Sequence, residues 1–399
     1  MLNKFVKKYL RRLCPVVVFM VFMSPVTPCA PLHAQEEQSL SPEVKTFRGE
    51  SEFTFEPLYD QGRFPNVLVS KAGTVIATFG HQTVSCRRST DGGRTWGPVI
   101  LIHENGIHGG GTTVDETTGD LLVFAEDEHP PAMAHCYRSR DDGLTWVEQD
   151  FRLEPDRFGN IPSMHMNEKG LTLQVGDHRG RLIRPTRHYA AANDRKYWPE
   201  HYTNAIYSDD GGRSWKTSDP FPENGTGEAA IVELADGRLL YNSRVHWDAR
   251  PDHLRRRQAI SHDGGQTWTD FRVVDALPDG TQDRSYGLMG GLTRLPLKNR
   301  DVVLFSNVDT EGSKRERGTI WASFDGGETW PIKRLVFAGR SAYSSLASGR
   351  PGTPSEGWIY LHIEEGENSV ASNVARFNLS WILEGDLTGD GAIPSWLKQ

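Results

Sequence analysis

The chain of 399 residues carries 52 acidic against 45 basic side chains, with 37% hydrophobic and 10% aromatic residues. That balance excludes wholesale disorder, a collagen repeat and a polytopic membrane protein, and it leaves enough apolar mass for a sizeable core. Forty glycines beside eleven tryptophans combine frequent tight turns with large packing side chains, which points to many short strands.

At the N-terminus, Lys4, Lys7, Lys8, Arg11 and Arg12 precede an apolar run from Leu13 to Met23, and a turn-rich stretch follows to Ala34. This order predicts a signal peptide over 1–34 and a secreted or periplasmic protein. The apolar run is too short for stable membrane insertion. Without that segment the chain keeps 40 basic against 52 acidic side chains, a balance that argues against nucleic acid or anionic lipid as partners. Cys14 and Cys29 belong to the signal, leaving Cys86 and Cys136. Each lies three residues before a repeated motif, at equivalent positions of neighbouring units. Such positions sit farther apart than the roughly 7 Å a disulfide permits, so two free, buried thiols are expected.

Five segments read alike: Ser89 to Trp96, Ser139 to Trp146, Ser208 to Trp215, Ser261 to Trp268 and Ser323 to Trp330. Their pattern is Ser-x-Asp-x-Gly-x-Thr/Ser-Trp, at intervals of 50, 69, 53 and 62 residues. The physical logic is a hairpin turn. Aspartate and hydroxyls bond local backbone groups, glycine supplies positive φ, and tryptophan packs under the turn. β-Prone runs such as Thr83 to Arg88 and Thr319 to Ala322 lead into the boxes, so each unit is a small antiparallel sheet. Radial stacking of such sheets gives an all-β propeller. The mean interval divides about 365 residues into six blades, one without a box. A lead over 35–44, one six-bladed domain over 45–385 with no helical stretch inside it, and a tail over 386–399 are predicted.

The repeat is similar to the Asp box (BNR repeat) of the sialidase (neuraminidase) family, whose catalytic domain is a six-bladed propeller. The resemblance covers nearly the whole chain after the signal. Sialic acid bears a carboxylate on its anomeric carbon, so a site for it requires several cations and a nucleophile that is not itself repelled. Arginine suits the first task because its guanidinium is always charged and forks onto carboxylate oxygens. Gly62-Arg63-Phe64-Pro65-Asn66 resembles the family's first-blade Arg-Ile-Pro motif, which implies Arg63 as the first substrate-binding arginine. The segment from Gly227-Glu228 to Ser243-Arg244 resembles the one holding the catalytic glutamate and the second arginine, which implies Glu228 and Arg244. The family's third arginine precedes an Asp box by eight residues. Counting back from Ser323 gives Arg315, with Arg317 as its competitor. Gly339 to Leu346 resembles the family's nucleophile segment and implies Tyr343 as nucleophile, with Glu228 as its base. Trp358 to Gly366 resembles the late strand whose glutamate holds the first arginine, and Glu364 fits its spacing better than Glu365. Gly170 to Pro185 resembles a third-blade segment and speaks for fold alone.

One departure stands out. The family's acid/base aspartate sits in a first-blade loop that here reads Ala77 to Val84 and contains no aspartate. Three alternatives stay open: His81 from that loop, as a residue type that titrates near neutrality, an acid from Glu126-Asp127-Glu128-His129 of the second blade, or no replacement acid at all. His165, Arg187 and His188 are candidates for the substrate's glycerol or N-acyl end. Arg87 and Arg88 read as strand-surface residues, and His253 to Arg257 as a solvated blade edge. Asp386 to Gly391 resembles half a calcium loop but lacks the acid at position twelve, so a plain turn is expected there. No zinc spacing, phosphate loop or Ser-His-Asp order occurs, and no metal or cofactor is expected. The resemblance implies a monomeric, retaining exo-α-sialidase acting on sialylated or other acidic glycans. The alternatives are a propeller glycosidase for a deaminated sialic acid or a uronate, and a non-catalytic acidic-glycan-binding propeller.

Overall fold

The computed structural model describes residues 42–397 apart from 192–193, 248–253, 281–286, 311, 313 and 367–370. The predicted signal peptide with Cys14 and Cys29, most of the lead, His253 and the last two residues of the tail lie outside the described residues. No helix among the described residues is long and apolar enough to cross a membrane.

Strand pairing builds six antiparallel blades. The first comprises Asn66–Val69, Val75–Phe79, Thr83–Ser89 and Ile100–Glu104. In the second, the short strands Ile107–His108 and Thr113–Val114 both pair with Leu121–Glu126, followed by Ala134–Ser139 and Val147–Gln149. Leu171–Thr172, Leu182–His188, Tyr202–Ser208 and Ser214–Thr217 make the third. Thr226–Glu233, Leu239–Val245, Arg255–Ser261 and Thr269–Pro278 make the fourth. The fifth contains Gly291–Arg294, Val303–Val308 and Glu316–Ser323. Its outer strand is the first half of Ile332–Ser348, whose second half pairs with Ile359–Glu365 as the innermost strand of the sixth blade. Ala371–Phe377 follows, and the sixth blade is completed by Phe53–Tyr59 from the other end of the chain.

Each box joins the third strand of a blade to the fourth. In the sixth blade those strands are Ala371–Phe377 and Phe53–Tyr59, which no hairpin can connect, so this blade has no box. The ring closes through apolar layers between neighbours. Leu68 and Ile76 meet Leu121 and Val123, Phe124 and Cys136 meet Leu182 and Ile206, and Ile183 and Tyr207 meet Ile231 and Tyr241. Val232 and Ile260 meet Val303 and Phe305, Leu304 and Ile320 meet Leu361 and Phe377, and Val67 and Val75 meet Ala347 and Tyr360.

The boxes share one hydrogen-bond pattern. The serine hydroxyl donates to the aspartate and accepts from the second glycine N–H, as in Ser89 with Asp91 and Gly93. The threonine or serine hydroxyl donates to the other carboxylate oxygen at 2.6 Å in all five. In the second box Asp142, at φ 62°, stands where the others carry glycine, a left-handed conformation that aspartate tolerates better than most residues. For Asp91, Asp141, Asp210 and Asp263 partial burial disfavours the charge, but these bonds outweigh it and hold each carboxyl below its ordinary range, at about 2 for Asp210. A depressed native pKa gives stability that is present above the unfolded value near 4 and lost as pH falls through the native one. The melting temperature should therefore fall steadily between pH 4 and 2, and a flat profile there would contradict this account of the turns.

Several local expectations are corrected. Arg87 and Arg88 are not simple surface residues. Arg87 donates to the Leu58 and Gly97 carbonyls, and Arg88 donates to the Asp142 carbonyl of the neighbouring blade's box at 2.6 Å. Arg256 and Arg257 are fully buried rather than on a solvated edge. Arg256 bonds Asp279, Asn242 and the Leu288 carbonyl, and Arg257 pairs with Glu223. The domain also contains a short helix, Leu379–Leu383, capped by the Asn378 side chain, and a 3-10 turn, Arg195–Glu200. Beyond it, Asp386–Leu387 pairs with the fifth blade, and the Asp390 carboxylate accepts the Trp330 N–H at 2.9 Å. Cys86 and Cys136 are free and buried, and burial pushes their thiols up to about 12 and about 11.

Candidate active site

Irregular backbone positions the central groups. Where Ile332–Ser348 passes from the fifth blade to the sixth, its register shifts between Ser341 and Ser344, a bulge that re-aims Tyr343. Thr226–Glu233 has a matching shift between Thr226 and Ala229, which contains Glu228. The two bulges bring the Tyr343 hydroxyl to 3.3 Å from Glu228 Oε1, to which it donates. Arg244 on Leu239–Val245 lies against both: its Nη1 donates to the two Glu228 oxygens and stands 3.5 Å from the Tyr343 oxygen. Gly227 permits this approach, since a Cβ there would lie 3.3 Å from Arg244 Cδ and 3.2 Å from His246 Cβ.

Burial opposes ionisation of Glu228, but Arg244 and then Arg187 outweigh it, so its carboxyl is held below the ordinary glutamate range. Burial likewise disfavours charge on Arg244, and Glu228 together with Tyr343 reverses the effect, raising its pKa. The pair is therefore ionised, with an anionic acceptor beside a phenol.

Three guanidinium groups surround Tyr343. Besides Arg244, Arg63 Cζ lies 5.2 Å and Arg315 Cζ 5.8 Å from the tyrosine ring centroid. Arg317 is exposed, with φ 63° at a second register shift, between Glu316 and Gly318. Arg63 follows Gly62 and precedes Phe64, whose φ of 63° is costly for an aromatic residue. Glu364 holds this turn in place. Its Oε1 accepts the Phe64 N–H at 2.9 Å and faces Arg63 Nε at 3.4 Å, while its Oε2 accepts the Tyr343 N–H at 3.2 Å. Glu365 instead points outward to Asn373. Glu364→Ala strands two buried N–H groups at about 1–3 kcal/mol each. It is expected to lower the melting temperature and raise KM together, with Glu364→Gln milder in both, as thermal melts and kinetics would record.

His81 is exposed, with its ring 5.6 Å from that of Phe64, and it shares with Arg63, Asp60 and Gln82 a cavity of about 680 Å³. In the second blade, Glu126 is buried, accepts the Met164 N–H, and is pushed up to about 7 by burial. Asp127 and Glu128 are exposed. His129 packs edge-on to His165 and Tyr189, each at about 5 Å. Burial lowers the pKa of His129.

Of the three residues assigned to the far end of a substrate, two stand beside this centre. His165 packs edge-on to Phe64 at 5.0 Å. Arg187, 1% exposed, bonds the Tyr189 hydroxyl, His201 and His246, and its charge reaches Glu228. His188 packs at a tilt against Tyr202 instead. Sequence reasoning missed Tyr189, His201, His246 and the Arg256–Asp279 pair beneath Arg244. Asp279 accepts the Val245 N–H directly after Arg244. Most of these residues flank strand ends, where no local motif marks them.

A family profile described as a BNR repeat-like domain matches residues 78–355. A sialidase of Micromonospora viridifaciens is 30% identical over 378 residues, which cover 84% of this chain and 55% of that protein. A sialidase of Bacteroides fragilis is 28% identical over 313 residues, covering 67% of this chain and 54% of its own. The chain thus spans about half the length of these relatives. In fold it is similar to the intramolecular trans-sialidase of Ruminococcus gnavus solved with oseltamivir carboxylate, with a TM-score of 0.60 at 17% identity over 82% of this chain and 97% of that one.

Proposed function

We propose, for a chain that belongs to the sialidase family of BNR-repeat propellers, that it is a secreted or periplasmic exo-α-sialidase acting as a monomer on sialylated glycans. The observation that carries this reading is the 3.3 Å contact of Tyr343 with an ionised Glu228 inside three guanidinium groups. Arg63, Arg244 and Arg315 bind the substrate carboxylate. The Tyr343 oxygen attacks the anomeric carbon as its proton passes to Glu228 and the glycosidic C–O bond breaks. A neutral phenol does this without the repulsion a carboxylate nucleophile would meet, which is why sialidases depart from the two-carboxylate scheme. Water then attacks the tyrosyl adduct, Glu228 returns its proton to Tyr343, and two inversions leave the anomeric configuration retained.

His81 supplies the leaving-group proton and later accepts one from water. It occupies the loop where the family carries its aspartate and opens onto the cavity containing Arg63. Glu126, by contrast, is buried with an oxygen committed to Met164. The test compares an α-sialoside bearing an activated aryl leaving group with one bearing galactose, from pH 4 to 8. His81→Ala is expected to lose about 10²- to 10⁴-fold on the galactoside and far less on the aryl substrate, while Glu126→Gln leaves that ratio unchanged. Equal losses on both substrates would remove His81 from the role. A purely binding propeller uses the arginines but not the Tyr343–Glu228 contact, and no turnover of either substrate by the parent protein would favour it.

A further inference from the structure

At the junction of the first two blades, His103, His135 and Asp127 each bring one ligand atom to within 4.8 Å of the others. His103 lies on Ile100–Glu104, His135 on Ala134–Ser139, and Asp127 directly after Leu121–Glu126. The two imidazoles stack with centroids 5.0 Å apart and 29° between planes. Each is held through Nδ1. The Tyr137 hydroxyl lies 2.7 Å from His103 Nδ1, and Glu148 Oε1 lies 2.7 Å from His135 Nδ1. That leaves the Nε2 atoms. His135 Nε2 faces Asp127 Oδ1 at 2.8 Å, whereas His103 Nε2 is buried with no hydrogen-bond partner among the described residues. An ion network of His135 between two carboxylates accounts for its own contacts but not for that orphan nitrogen, and a buried polar atom without a partner is unfavourable.

We propose that His103, His135 and Asp127 form a binding site for a zinc-class divalent cation that staples the first blade to the second. Two imidazole nitrogens and a carboxylate are the donors such borderline ions take, with a fourth position left for water. Engagement of each Nδ1 by a carboxylate or hydroxyl is the arrangement that fixes a ligating histidine with Nε2 turned to the metal. Bonds of about 2.0–2.2 Å require the three atoms to draw together, which rotation of the exposed Asp127 side chain allows. The proton shared by His135 and Asp127 leaves as the cation enters. The linear sequence hid the site because its ligands come from three segments, 24 and 8 residues apart. Asp127 also opens the segment to His129, which packs on His165 and Tyr189, so the cation would steady one wall of the candidate active site.

The test uses untagged protein stripped with a chelator and titrated with zinc chloride, read by calorimetry and thermal melting without substrate, so it stands apart from the glycosidase reading. One equivalent of zinc is expected to bind and raise the melting temperature, with magnesium inert. His103→Ala and Asp127→Asn should each weaken zinc binding about tenfold or more, and Asp127→Asn should leave the metal-free melt close to that of the parent. If His103→Ala does not fold, the surface variant Asp127→Asn decides alone. No saturable zinc binding, or binding unchanged in Asp127→Asn, would overturn the proposal.

Discussion

Tyr343→Phe is expected to lower turnover of an α-sialoside by about 10³-fold or more, roughly 4 kcal/mol of transition-state stabilisation, with binding of a sialic acid analogue within a few fold of the parent. The substitution removes one oxygen and keeps the ring between Arg63 and Arg315, so the cationic wall that holds the carboxylate stays intact. Among the described residues the hydroxyl bonds Glu228 and Arg244, and those two remain paired with each other. Stability should therefore change little. A variant that keeps a tenth of its activity would show that the phenol is a packing residue and that another group attacks the substrate.

Glu228→Gln carries the second large effect, and it acts on two quantities at once. Loss of the proton acceptor should reduce kcat by about 10²- to 10⁴-fold. Arg244, 3% exposed on its side chain, would then hold its charge without its buried carboxylate, and breaking such a pair typically costs about 3–5 kcal/mol. Arg187 nearby adds further positive charge. Steady-state kinetics together with urea unfolding would separate the two effects. Lost activity with unchanged stability would mean that the carboxylate is not the counter-charge of Arg244 in solution.

Much of the fold was legible because the repeat is local. A serine, an aspartate, a glycine and a tryptophan within eight residues specify a turn from their own hydrogen bonds, and five such turns specify five hairpins. What the boxes do not encode is how the ring closes. Phe53–Tyr59 pairs with Ala371–Phe377 across the whole chain, and one strand serves two blades. Both depend on long-range packing that no window of sequence contains. The buried Arg256 and Arg257 were misjudged for a related reason. A charged run normally signals solvent, and only the tertiary partners Asp279 and Glu223, 23 and 34 residues away, reverse that expectation.

The candidate site divides the same way. Residues carried by a family-like segment, such as Arg63, Glu228, Arg244 and Tyr343, were legible from that segment. Their convergence was not, because it depends on two β-bulges and on Glu364 binding the backbone at both Phe64 and Tyr343. Counting residues left Arg315 and Arg317 close together, whereas three dimensions separate them. Arg315 lies over the Tyr343 ring and Arg317 is exposed.

In the proposed mechanism Tyr343 becomes covalently bonded to the sugar. Incubation with a 2,3-difluorinated sialic acid, which slows hydrolysis of a glycosyl adduct, followed by proteolysis and mass spectrometry of the peptides, tests it most directly. One sialyl adduct per chain is expected, on the peptide containing Tyr343, absent from Tyr343→Phe. An adduct on another residue, or efficient turnover of α-sialosides by Tyr343→Phe, would contradict it.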